Sequence, residues 1–182
     1  MKNTSFILVV GLLALGVMAR FVPHAANFTP IGAIALFGGL YLPRRWAVVL
    51  PLAALFASDL IIGFYSFKMM AAVYASFALM AGIGLLVRRR KNFATVAAGT
   101  LAGSLAFFLI TNAAVWAFGT MYPSTLGGLM ASYTNALPFF RNSLAGDIFY
   151  VAVLVGGMEA VRAWVASRAP KLATKRAIAL RN

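Results

Sequence analysis

Runs of apolar residues, each cut off by a basic or turn-forming cluster, organise this chain from end to end. The first run goes from Ser5 to Val22 behind Lys2, and a polar turn, Pro23-His24-Ala25-Ala26-Asn27, follows it. The second, Phe28 to Leu42, is closed by Arg44 and Arg45. The third, Trp46 to Tyr65, carries Pro51 and Asp59, and a turn at Ser66-Phe67-Lys68 leads into the fourth, Met69 to Val87. Arg88-Arg89-Arg90-Lys91 then precedes the fifth, Phe93 to Phe118. A less apolar stretch, Gly119 to Asn142, holds Tyr122-Pro123, Gly127-Gly128 and Pro138, and its middle, Ser124 to Leu137, is expected as a short interfacial helix. The sixth run is Ser143 to Val165, before a basic tail.

A helix crossing the roughly 30 Å hydrocarbon core needs about 20 apolar residues, and most of these runs supply them. The second does not: its fifteen residues make a helix of about 22 Å, to be tilted little, extended by its flanks, or packed among neighbours. The pattern predicts an all-α membrane protein, a six transmembrane helix bundle over residues 1–166 with a basic tail over 167–182. Val17-Met18-Ala19 has the small-residue look of a signal-peptide cleavage site, but the apolar run continues past it, so the first segment is read as a retained span.

Charge fixes the orientation. With the N-terminus inside, Lys2, Arg44, Arg45, Arg88, Arg89, Arg90, Lys91, Arg162, Arg168, Lys171, Lys175, Arg176 and Arg181 fall on the inner side, against Arg20, Lys68 and Arg141 outside, thirteen to three. Cytoplasmic loops carry such an excess of Lys and Arg, so both termini are expected on the cytoplasmic side. The net charge of +13 would suggest nucleic acid in a soluble protein. Here the hydrophobic share of 63% and mean hydropathy of +0.90 assign it to the bilayer surface instead, and no nucleic-acid partner is expected. The tail after Pro170 is expected to lie on the inner leaflet or to be disordered. There is no Cys, which removes disulfides and thiolate chemistry, and one His with three acidic residues is too few for a multi-ligand metal site. No metal or cofactor is expected.

The polar residues inside the apolar runs are the candidate site. A charge in the hydrocarbon core costs about 2.5–3.5 kcal/mol on insertion scales, so such residues normally face the bundle interior and pair. Asp59 sits near the outer end of the third span and Asp147 near the outer start of the sixth, with Arg20 and Arg141 at the same depth. The pairs to consider are Arg20 with Asp59 and Arg141 with Asp147. His24, Asn27 and Thr29 lie in the outer turn, and Asn112, with Thr111, lies at similar depth in the fifth span. Arg20, His24, Asn27, Thr29, Asp59, Asn112, Arg141 and Asp147 are therefore the candidate ligand-binding residues of an outward-opening polar pocket, with Tyr74, Tyr122, Tyr133 and Asn135 near it. The alternative is a set of buried ion pairs that fix helix register in a non-transporting scaffold or accessory subunit. Glu159, with Arg162 three residues on, reads as a local surface pair. Gly99 and Gly103, and Ala35 and Gly39, have the spacing of close helix packing. No HExxH, GxSxG, P-loop or dinucleotide pattern occurs, and no nucleophile accompanies the carboxylates, so the protein is expected not to be an enzyme.

The run Arg20 … Pro23-His24 … Asn27-Phe28-Thr29-Pro30-Ile31-Gly32-Ala33 … Ala35-Leu36-Phe37-Gly38-Gly39 resembles an uncharacterised family of bacterial six-span membrane proteins. So do Ser58-Asp59, Tyr122-Pro123, Leu137-Pro138-Phe139-Phe140-Arg141-Asn142 and Gly146-Asp147. That family looks related to the substrate-binding S-components of energy-coupling-factor (ECF) vitamin transporters and to their solitary cobalamin-transporting relatives. The resemblance implies an S-component-like bundle that binds a small vitamin-like nutrient near its outer face. It also implies docking on an ECF-type coupling protein that bears two ATPases. Two positions depart from the wider group. Its AxxxA docking pattern is absent from the first span, where Ala14 is followed four residues on by Met18, and the cysteine of the cobalamin relatives has no counterpart.

Overall fold

In a computed structural model, the backbone is described for residues 2–23 and 25–179, and side-chain surroundings for 7, 10–23 and 25–167. His24 and the side chains of the basic tail lie outside the described residues. The chain is helical, with no strand among the described residues: α1 (Lys2–Met18), α2 (Ile31–Tyr41), α3 (Arg44–Ile62), α4 (Phe67–Val87), a single 3-10 turn (Arg88–Arg90), α5 (Phe93–Phe118) and α6 (Leu126–Ala179). Local chemistry sets several ends. Asn92 and Thr95 form a capping box at the start of α5, Asn92 Oδ1 accepting from Thr95 N at 2.9 Å and Thr95 Oγ1 from Asn92 N at 3.0 Å, which satisfies two N–H groups that the first turn leaves free. Gly63 ends α3 at φ 107°, a conformation that costs glycine nothing.

Four helices are long and apolar enough to cross a membrane: Arg44–Ile62, Phe67–Arg90, Phe93–Phe118 and Leu126–Ser167. By length and composition this is a membrane protein. The fold leaves many apolar side chains exposed, among them Phe67, Phe93, Leu101 and Ile148, and exposed apolar surface of this extent marks contact with a membrane or another protein.

α2 is the centre of the molecule. Every residue from Ile31 to Leu40 is buried, and α1, α3, α4, α5 and α6 all pack against it. Its eleven residues span about 16 Å, so of the options open from sequence it takes the packed one, with non-helical flanks at both ends. Small residues permit this. A Cβ at Gly39 would stand 2.5 Å from the Ala81 carbonyl oxygen and 2.7 Å from Gly84 Cα, and one at Gly84 would meet the Leu36 carbonyl oxygen. Gly99 and Gly103 of α5 likewise lie against Val87 and Met80 of α4. The small-residue spacings mark packing positions, with Gly84 as the partner that the spacing did not reveal.

α6 departs from expectation. Gly119–Asn142 is not a loop carrying a separate interfacial helix. From Leu126 the chain is one helix of 54 residues, about 81 Å long, that includes most of the less apolar stretch, the last apolar run and the start of the tail. Pro138 does not end it. Its N-terminal part is held on α5 by hydrogen bonds from Ser132 Oγ to the Asn112 carbonyl (3.0 Å) and from Tyr133 OH to the Leu109 carbonyl (3.0 Å). Trp116 Nε1 donates to the carbonyls of Pro123 and Thr125, both at 3.1 Å, and closes the α5–α6 turn.

One end of the bundle gathers basic residues. Arg88 Nη1 donates to the Leu42 carbonyl at 2.8 Å. Glu159 accepts from Lys91 and from Tyr41 OH and lies 3.6 Å from Arg162, while Lys91 and Arg162 both lie over the Tyr41 ring. Glu159 is thus more than a local partner of Arg162: it ties α6 to α2 and to the loop before α5.

Candidate functional site

At the opposite end, the turn between α1 and α2 is exposed as far as Asn27 among the described residues, and from Phe28 to Pro30 it is drawn in among the helices. Asn27 takes the left-handed conformation, φ 64°, which Asn tolerates better than most residues. Phe28 then packs its ring against Phe149 and Tyr150 of α6, and its Cα rests 3.2 Å from where a Gly146 Cβ would be. Thr29 and Pro30 lead directly into the buried first turn of α2.

Below this turn lies a cavity of about 380 Å³ lined by Arg20, Asn27 and Thr29, the first turn of α2 (Ile31, Gly32), and Tyr65 from the α3–α4 connection. Leu55, Ile62, Val73, Phe77, Met80, Phe107, Ser143 and Asp147 complete its wall. A second cavity of about 260 Å³ adjoins it across Asn27, Val73, Phe107 and Ser143, and is lined further along by Thr111 and Asn112. An apolar wall with a few converging polar groups is the usual make-up of a small-molecule pocket, and about 300–1,000 Å³ the usual size.

Arg20 and Asp59 pair as the sequence suggested, with Nη1 to Oδ1 at 2.6 Å. The same Nη1 donates to Ser58 Oγ at 2.5 Å and approaches the Leu55 carbonyl at 3.5 Å. Tyr74 OH donates to the other carboxylate oxygen at 2.9 Å. Asp59 is 1% exposed and does not line the cavity, whereas Arg20 does. Asp59 therefore stands behind the site, holding Arg20 at its edge.

Asp147 behaves differently. It is 8% exposed and lines the cavity. Its Oδ2 accepts from Ser104 Oγ at 2.7 Å, and its Oδ1 rests against Gly32, where any Cβ would overlap it. Arg141 is not its partner. The two residues are six apart on one continuous helix, about 120° apart around its axis, and Arg141 is exposed and lines neither cavity. Ser143, one turn before Asp147, shares its face and lines both cavities.

Of the eight candidates, Arg20, Asn27, Thr29 and Asp147 meet around one cavity, and Asn112 lines the next, its Nδ2 donating to the Phe108 carbonyl at 2.8 Å. Asp59 supports Arg20 from behind, Arg141 points away, and His24 lies outside the described residues. Tyr122, Tyr133 and Asn135 line neither cavity. Ser104, Ser143, Tyr65, Phe77 and Phe107 are contributors that the pattern did not single out. A serine in a spanning helix commonly bonds back to its own backbone, as Ser104 also does to the Thr100 carbonyl at 3.0 Å, so sequence gives no sign of a second role.

Among the described residues no group of three or more His, Cys, Asp or Glu could hold a metal ion. No curated protein and no solved structure matches the chain. Residues 1–172 match the family of unknown function DUF6580, and the chain belongs to that family.

Proposed function

We propose that this member of DUF6580 is an integral membrane substrate-binding protein of ECF S-component type, which takes up a small vitamin-like organic nutrient from the outer side. In this reading six spans, α1 to α5 and the central part of α6, sit in the bacterial inner membrane with both termini cytoplasmic. The observation that carries the proposal is the cavity between the α1–α2 turn and Asp147, at the end of the bundle away from Arg44, Arg45, Arg88–Lys91 and Arg162. If the basic end faces the cytoplasm, the cavity faces outward. The ligand is bound and handed on unchanged, and since the chain carries no nucleotide-binding motif, a partner supplies the energy. An ECF-type coupling protein with its ATPases fills that role.

Mass spectrometry of small molecules released by denaturing the purified protein tests the proposal, with Ser143→Phe, which fills the cavity, as the paired variant. One compound released near one per chain from the wild type and absent from the variant is the expected result. A blank from the wild type, together with a protein partner recovered in fixed proportion, would replace this reading with that of an accessory subunit.

A further inference from the structure

The charges around the cavity do not cancel. Arg20 and Asp59 form a close pair, so their contributions largely offset. Among the described residues Asp147 has no such partner: no salt bridge includes it, and Arg20 is the only Lys or Arg of those residues that lines either cavity. The other nearby cations are turned elsewhere. Arg141 is exposed, and Lys68 is exposed and lies over the Phe118 ring, 5.2 Å from its centre. Oδ2 is satisfied by Ser104. Among the described residues none donates to Oδ1, which rests against Gly32 in the first turn of α2, and Asp147 and Gly32 both line the cavity. That turn supplies at most about half an elementary charge.

A carboxylate so deeply buried is costly unless a cation or hydrogen-bond donors meet it. The cavity that Asp147 lines is the space from which such a partner can come. Phe77, Phe107 and Tyr65 line that same space, and aromatic faces attract cations while aromatic edges pack apolar groups.

We infer that the ligand of this cavity is a small organic cation, with a protonated amine that donates to Asp147 Oδ1 and an apolar body resting among Phe77, Phe107 and Tyr65. This rests on the reading of the cavity as a ligand site and names the charge class that the site selects. Carboxylate and phosphate ligands meet an uncompensated negative charge there and are disfavoured.

Three probes of one shape and different charge test it: phenethylamine, phenethyl alcohol and phenylacetate, each added to the full-length protein in nanodiscs near neutral pH. Phenethylamine is expected to raise Tm and the other two to leave it unchanged. Asp147→Asn, which keeps the shape and removes the charge, is expected to weaken the amine's effect at least about tenfold, as loss of one charged hydrogen bond does. An equal or larger shift with phenylacetate or phenethyl alcohol overturns the inference, as does an amine shift that survives in Asp147→Asn. The ranking on the wild type stands even if the variant does not fold. A neutral or anionic compound released from the wild type would overturn the cation inference alone and keep the cavity as a ligand site. Release of nothing, with no probe effective, would overturn both.

Discussion

Arg20 and Asp59 show how a buried pair can serve a site without entering it. Asp59 is fully enclosed and takes one hydrogen bond on each oxygen, from Arg20 and from Tyr74. Removing one partner of such a pair leaves a buried charge uncompensated, at about 3–5 kcal/mol, whereas replacing both with apolar groups is often neutral. Arg20→Met is therefore expected to lower Tm sharply and Arg20→Met with Asp59→Leu to recover most of it, as measured by thermal unfolding in detergent. A double variant no more stable than Arg20→Met would mean that Arg20 acts through Ser58 and the Leu55 carbonyl instead. This pair was legible in sequence because charges are conspicuous in apolar runs. The Arg141–Asp147 pairing, expected from shared depth, is not made because depth does not give direction around a helix. On one continuous helix six residues place the two about 120° apart, and the partner of Asp147 is a serine 43 positions away.

At the scale of elements, the α2–α4 crossing is set by the absence of side chains. An alanine at Gly84 would press on the Leu36 carbonyl and stand 3.0 Å from Gly39 Cα, so the two backbones must part. Gly84→Ala is expected to cost about 1–3 kcal/mol, the usual range for overpacking. Gly82, two residues earlier, has nothing within 4 Å of a built Cβ, and Gly82→Ala is expected to be neutral or to gain up to about 1 kcal/mol from helix propensity. Equal unfolding midpoints for the two variants would show that the crossing is loose. The apolar runs located the helices well, since each is bounded by charge or by a turn. The length of α6 was hidden by Gly127-Gly128 and Pro138, residues that ordinarily punctuate a soluble helix. Here the hydrogen bonds of Ser132 and Tyr133 to α5 hold the segment in place around them.

For the whole molecule, the two ends differ in kind. One carries the basic cluster tied by Glu159, and the other carries the polar cavity around Arg20 and Asp147. The chain has no native cysteine, so single replacements report sidedness cleanly. Lys68→Cys is expected to react with a membrane-impermeant maleimide on intact cells, and Arg89→Cys only after the membrane is opened. The reverse pattern would invert the proposed orientation and put the cavity in the cytoplasm.

The enclosed position of α2 also bears on how the protein is made. α2 leaves the ribosome well before α6, yet it is too short to bridge the bilayer unaided. Part of its coat is Val151 of α6, a helix that begins only at residue 126. The coat of α2 is therefore incomplete until α6 arrives. A nascent chain stopped before α6 is expected to be degraded faster than one that includes it, as pulse-chase labelling would measure.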